Sequence, residues 1–318
     1  MEIYSRTDRY RHTLKPLWML IILAALLQAC GSNGSDGAGQ TTLVAEGAEP
    51  EVISSGHQFT EGPWWHPDGY LLFSDIPANR IYRWEHGGES EVYLEPSGNS
   101  NGIQSDSDGR IIIAQHAGRI SAITEEGDLE VLVDSYEGRR LNSPNDLIAH
   151  SNGTIYFTDP PFGVDEADQE LPFSGVFQLN TDGELILIYD EFNLPNGTAL
   201  SHDQTRLYVN DTETGDIVVF NVDGSGRALN PELFASVGPR GEGGAADGMV
   251  TDTDGRVYTT SPAGLTIFEP DGGHLEDIAF DQPISNMDWG GDDLNELYIT
   301  SSDLVYRLPL TVTGYKLR

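Results

Sequence analysis

Cysteine is nearly missing from this 318-residue chain: there is one, Cys30, so no disulfide can form within it. Basic residues are scarce, 17 Lys and Arg against 51 Asp and Glu, for a formal charge of −34. A field of that sign repels a phosphate backbone, which excludes nucleic acid as a partner. It favours solubility instead, and a cation site within it is electrostatically assisted. Long apolar runs are lacking too. The exception, residues 17–27, is too short to span a bilayer comfortably as a helix. Helical periodicity is absent after residue 30, whereas short Val/Ile/Leu/Tyr/Phe runs bounded by Gly, Asn, Asp and Pro recur throughout. The predicted class is all-β.

Residues 1–29 stand apart. A basic start (Arg6, Arg9, Arg11, Lys15) precedes the apolar run, the pattern of a secretory signal that takes no part in the fold. Leu27-Gln28-Ala29-Cys30 is similar to the lipobox of bacterial lipoproteins, in which the Cys is lipidated, so Cys30 is the expected lipidation site. Residues 30–49, beginning GSNGSDGAGQT after the Cys, read as a flexible tether. These features predict an exported protein of the bacterial cell envelope, lipid-anchored or periplasmic, that meets a membrane only through that anchor. Without residues 1–29 the chain keeps 13 basic and 49 acidic residues, a charge of −36.

What the chain does have is a repeat. Residues 59–84, FTEGPWWHPDGYLLFSDIPANRIYRW, hold a first strand, a Pro-Asp-Gly turn, a second strand ending Ser74-Asp75, a loop and a third strand, with a fourth strand at residues 91–94. The second strand recurs at residues 109–115, 153–159, 205–211, 255–261 and 295–301. Six four-stranded units with Gly and Asp turns predict a six-bladed β-propeller spanning residues 50–318, a fold that removes free sheet edges by circular closure. Only five fourth strands follow their own units, near residues 91, 130, 185, 232 and 275. The sixth is expected from residues 51–54, so that an N-terminal strand closes the ring.

Each first strand begins with one oxygen-bearing side chain at the same repeat position: Glu61, Asn101, Asn145, Asn196, Asp247 and Asn286. Innermost strands surround the channel of a propeller, so these six residues should converge on the axis. Two carboxylates and four carboxamides describe a hard-cation site, suited to Ca²⁺ and less to Mg²⁺ or Mn²⁺. Zinc, which prefers Cys and His, is the poorest fit. The competing explanation is that Asn-Gly and Asp-Gly simply make turns.

Four motifs, TEGPWWHPDGYLLFSDI, LNSPNDLIAHSNGTIYFTDPPFG, LPNGTALS and ADGMVTDTDG, resemble the SMP-30/gluconolactonase/luciferin-regenerating family of six-bladed, metal-dependent propellers, over about residues 50–310. The resemblance implies Glu61, Asn145, Asn196 and Asp247 as metal ligands, Asp247 as catalytic acid/base, and Ca²⁺ as cofactor with Mg²⁺, Mn²⁺ or Zn²⁺ as alternatives. Asn145, Asn101 and His116 are the expected substrate contacts, His116 because it follows the second strand of the second unit, where family members often carry His-Gly. Some members have an Arg two residues before the Asn equivalent to Asn145; here that residue is Ser143.

Other motifs carry less. Gly98-Asn-Ser-Asn-Gly102 matches a nucleophile elbow but has no helix after it. The Asp-Gly pairs at 108–109 and 254–255 lack EF-hand spacing and fall where hairpin turns are due. Gly241-Glu-Gly-Gly244 lacks the strand-turn-helix of a dinucleotide site. His66, His150 and His202 should lie at the surface away from the ring, and Trp64 and Trp65 should pack between blades. The expected protein is a monomeric, metal-dependent hydrolase opening a small-molecule lactone. A phosphotriester-type hydrolase on the same site and a calcium-stabilised binding propeller are the alternatives.

Overall fold

The computed structural model describes residues 42–316. The signal segment and Cys30 lie outside the described residues. Six four-stranded antiparallel sheets follow one another along the chain. The first is Thr60–His66, Tyr70–Asp75, Arg80–Glu85 and Glu91–Leu94, in that spatial order. The inner strands of the next four are Ser100–Ser105, Leu147–Ala149, Pro195–Leu200 and Met249–Thr251. The sixth sheet contributes Asn286–Gly290, Glu296–Ser301 and Leu304–Pro309, and takes its outer strand from Glu51–Ser55. Glu51 pairs with Arg307 and Ser55 with Leu304, so the first described strand closes the ring on the last blade.

The core is six wedges rather than one centre. Middle strands such as Tyr70–Asp75 and Ile155–Asp159 are buried along their whole length because they are covered on both faces by neighbouring blades. Each junction between blades has its own apolar cluster. Trp64 packs with Leu72, Ile103 and Ile113 between the first and second blades, and Trp65, Phe73 and Trp84 meet Tyr298 and Val305 between the first and sixth. Trp65 stacks on Tyr298 at 4.7 Å between ring centroids. Burying side chains of this size contributes roughly 1.5–3 kcal/mol each, so the junctions hold the ring together.

Three features depart from the sequence reading. Residues 42–48, assigned to the tether, contact the last two blades: Val44 bridges Leu310, the Ala45 N–H donates to the Pro309 carbonyl at 3.1 Å, and the Leu43 N–H donates to Glu276 of the fifth blade at 3.0 Å. Leu43 and Val44 pack on the apolar cluster there, which fixes them. A small hairpin, Ser135–Tyr136 with Arg139–Arg140, and a 3-10 turn, Glu166–Asp168, interrupt the repeat. The C-terminal residues cross the axis: Lys316 Nζ donates to the Trp65 carbonyl at 2.8 Å and pairs with Asp288, while Gln204 donates to the Tyr315 hydroxyl. His66, as expected, lies away from the ring: it is partly exposed and stacks on Tyr70 at 4.2 Å.

Candidate metal centre and active site

The dipeptides that begin the inner strands are not turns. Glu61-Gly62, Asn101-Gly102 and Asn196-Gly197 lie within strands. Their glycines allow adjacent inner strands to meet at the axis. A Cβ at Gly62 would overlap the Asn101 carbonyl oxygen, and one at Gly197 would overlap that of Asp247. The pairing register shifts at the ring residue in the first, second and fourth blades, between Glu61 and Trp64, Ser100 and Ile103, and Pro195 and Thr198, so the regular ladder is interrupted there.

The second strand positions three of these residues from behind. In the third blade it ends at Asp159, whose carboxylate accepts the N–H groups of Asn142 and Ser143, both at 2.8 Å, just before Asn145. Asp75 does the same for Gln58 and Phe59 ahead of Glu61, and Asp211 for Asn193 ahead of Asn196, at 2.6 Å. Each clamp ties down the loop entering an inner strand, so the side chain two to three residues later emerges at a fixed angle. Burial, against which the two N–H donors act, pushes the Asp159 carboxyl up to about 7.

Five of the six ring side chains are buried, and the sixth, Asp247, is partly buried. Four carboxamide and hydroxyl groups form a directional chain: Asn101 Nδ2 donates to Asn145 Oδ1, Asn145 Nδ2 to Asn196 Oδ1, and Asn196 Nδ2 to Thr212 Oγ1 at 2.9 Å. Thr212 passes its own hydrogen to the Ala246 carbonyl at 2.8 Å, beside Asp247. His116 Nε2 donates to Asn145 Oδ1 at 3.2 Å. Burial lowers the pKa of the half-buried His116, with the bond to Asn145 opposing, so the imidazole is neutral near pH 7. On the other side, Glu61 Oε2 accepts from the Gly62 N–H at 2.7 Å and from Asn286 Nδ2 at 3.1 Å.

Glu61 and Asp247 are two carboxyls without a paired cation. Burial pushes Glu61 up to about 7, opposed by the Gly62 and Asn286 donors and reinforced by the charge of Asp146. Burial and then the negative charges of Glu61 and Asp146 hold Asp247 well above the usual carboxylate range, with the Arg240 guanidinium opposing. Asp247 Oδ1 and Asn101 Oδ1 are buried and have no hydrogen-bond partner. Two repelling carboxyls, an orphaned oxygen and an all-oxygen neighbourhood are the chemistry of a hard-cation site. Among the described residues no group of three or more His, Cys, Asp or Glu could hold a metal. The donors beyond two carboxylates are therefore carboxamides, which again argues against zinc.

Above the ring lies a cavity of about 280 Å³ whose lining includes Glu61, Asn101, Asn145, Asn196, Asp247 and His116. Its size is at the lower edge of small-ligand sites, roughly 300–1,000 Å³. Thus Glu61, Asn101, Asn145, Asn196, Asp247 and His116, six positions read from the sequence, share one cavity. Asn286 does not line it; its Oδ1 accepts from the Met287 N–H at 2.8 Å, leaving it to brace Glu61. Ser143 is buried, is not part of the lining, and its hydroxyl has no partner. The sequence reading missed Phe59, Ile76, Pro77, Phe162 and Arg240, which complete the walls. They lie on loops between strands, where no period marks them.

Fold and site together define a six-bladed propeller whose axis carries a ring of oxygen donors at the floor of a small-molecule cavity. The chain belongs to the SMP-30/gluconolactonase/LRE-like family, whose pattern it matches over residues 59–303. It is 38% identical to the gluconolactonase of Zymomonas mobilis over 294 residues, covering 83% of this chain and 82% of that one. To pentonolactonase XacC of Haloferax volcanii it is 27% identical over 259 residues, covering 79% and 84%. Among solved structures, a gluconolactonase from Xanthomonas campestris superposes with a TM-score of 0.76 at 32% identity, covering 84% of this chain and 91% of that one.

Proposed function

We propose that the protein is a metal-dependent lactonase, hydrolysing a small-molecule lactone to its hydroxy acid, with calcium as the cation. The observation that carries this reading is Asp247 Oδ1: a buried carboxylate oxygen with no partner, beside a second carboxyl and facing a cavity. The lactonase relatives support the substrate class. A cation bound by Glu61, Asn145, Asn196 and Asp247 would polarise the ester carbonyl and stabilise the developing oxyanion.

The chain's own groups account for the proton transfers. Asp247 takes a proton from water as its oxygen adds to the carbonyl carbon, then returns that proton to the ring oxygen as the acyl C–O bond breaks. The released carboxylic acid loses its proton to solvent. Asn101 and His116 present hydrogen-bonding edges to the substrate, held in place through Asn145. The apolar side of the cavity, Phe59, Ile76, Pro77 and Phe162, limits the water that reaches the ester.

A panel of sugar and aliphatic lactones, followed by acid release at constant pH with chelator-treated and calcium-restored protein, tests the reading. Calcium-dependent acid release from at least one lactone is the expected result. Absence of turnover across the panel by protein that demonstrably binds calcium would overturn it.

A further inference from the structure

We propose that Arg240 is a substrate-recognition residue, and that the cavity takes a lactone bearing a carboxylate on the carbon chain remote from its ester. This rests on the lactonase reading and specifies which lactones the site selects. The motivating observation is a guanidinium without a partner in a strongly acidic chain.

Acids engage five of the eleven arginines among the described residues. Arg80 pairs with Glu95, Arg110 with Asp106, Arg256 with Asp252, and Arg307 with Glu296. Arg240 has no side-chain hydrogen bond or ion pair among the described residues, and it is the one Lys or Arg in the lining of the cavity above the ring. Its placement is built into the chain. The Gly241 N–H donates to the Gly244 carbonyl at 2.9 Å and the Gly244 N–H returns a bond to Gly241 at 3.3 Å, pinching the loop directly after Arg240. A Cβ at position 243 would overlap the Pro262 carbonyl oxygen, so the loop also sits tightly against the fifth blade.

The walls of the cavity are chemically unlike one another. Arg240 arrives on the loop entering the fifth blade, and the second blade, which carries His116, is its opposite in a ring of six. Phe59, Ile76 and Pro77 come from the first blade and its approach, and Phe162 from the third. A lactone with its carbonyl on the ring floor therefore packs carbon against these apolar side chains and directs its far end toward the guanidinium. A hydroxyl there would offer the guanidinium only a neutral acceptor, as water already does. A carboxylate matches the planar donor fork in a bidentate, charge-assisted pair. The surrounding field of −34 repels anions at long range, so selection of an acidic substrate requires a local cation of this kind.

Two lactones of equal ring size, one neutral and one carrying a free carboxylate, are compared on wild type, Arg240→Met and Arg240→Lys at saturating calcium. The ratio of kcat/KM, carboxylate-bearing over neutral, is expected to fall at least about tenfold in Arg240→Met, chiefly through KM, with partial recovery in Arg240→Lys. Equal losses for both lactones, or an unchanged ratio, would overturn the proposal. Calorimetric titration with an unreactive sugar dicarboxylate and the matching monocarboxylate decides the case even if no lactone is turned over. Tighter dicarboxylate binding that vanishes in Arg240→Met supports the recognition site independently of catalysis. Equal preference in both proteins rejects it. If the Met variant does not fold, Arg240→Lys carries the test alone, because loss of the fork should by itself weaken dicarboxylate binding more than monocarboxylate binding, and equal weakening rejects the site.

Discussion

Asn286 donates its Nδ2 hydrogen to Oε2 of Glu61 across 3.1 Å, joining the last blade of the ring to the first at the axis. The two residues occupy equivalent repeat positions yet play unequal parts: one faces the cavity, and the other holds it in place. Replacing Asn286 with Ala should weaken calcium binding by about tenfold, as for other groups that orient a ligand, while turnover at saturating calcium stays within about fivefold of wild type. Calcium titration alongside initial rates checks this. A collapse of saturated turnover would put Asn286 among the reacting groups.

Gly197→Ala tests the close approach of the inner strands. The added methyl would overlap the Asp247 carbonyl oxygen, so the strands must part. Destabilisation of about 1–3 kcal/mol is expected, with reduced calcium affinity because Asp247 moves. Gly224→Ala, which meets nothing within 4 Å, is the control and should change stability by less than about 0.5 kcal/mol. Urea melts of the two variants make the comparison.

The carboxyls dictate a pH signature. Glu61 is raised to about 7, Asp146 to about 6 and Asp159 to about 7, and Asp247 is raised as well, in each case chiefly by burial. The folded state therefore binds protons that the unfolded state has released. By linkage, the metal-free protein loses their contribution as pH rises from about 4 to about 7. Cation binding works in the opposite direction, since it needs Glu61 and Asp247 ionised. The rise in melting temperature on adding calcium should therefore be larger at pH 8 than at pH 5. A calcium effect that is equal at both values would contradict the placement of the ion between these two carboxyls.

The architecture was legible because a propeller writes its period into the chain. A second strand such as GTIYFTD must be apolar on both faces, and the ring residue precedes each by a nearly constant distance, so Glu61, Asn145, Asn196 and Asp247 could be aligned without contacts. Closure by Glu51–Ser55 followed from counting fourth strands. The function of the glycine after four of the ring residues, Gly62, Gly102, Gly197 and Gly248, was ambiguous, because close approach and turn formation select the same residue type. The clamps Asp75, Asp159 and Asp211 were visible as strand-end residues, but their N–H partners depend on loop geometry. Arg240 and Lys316 were invisible for a different reason. Neither lies at a repeated position, and each reaches the axis from a segment whose path is set by tertiary packing.

In the proposed mechanism Asp247 moves protons at a calcium-loaded centre rather than simply holding the ion. Asp247→Asn keeps an oxygen donor and removes the base, so the decisive measurement is lactone turnover by this variant at saturating calcium, with bound calcium determined on the same sample. A loss on the order of 10²–10⁴-fold that added calcium does not repair is the expected result. Full recovery of turnover once calcium is saturating would reduce Asp247 to a ligand and contradict the account.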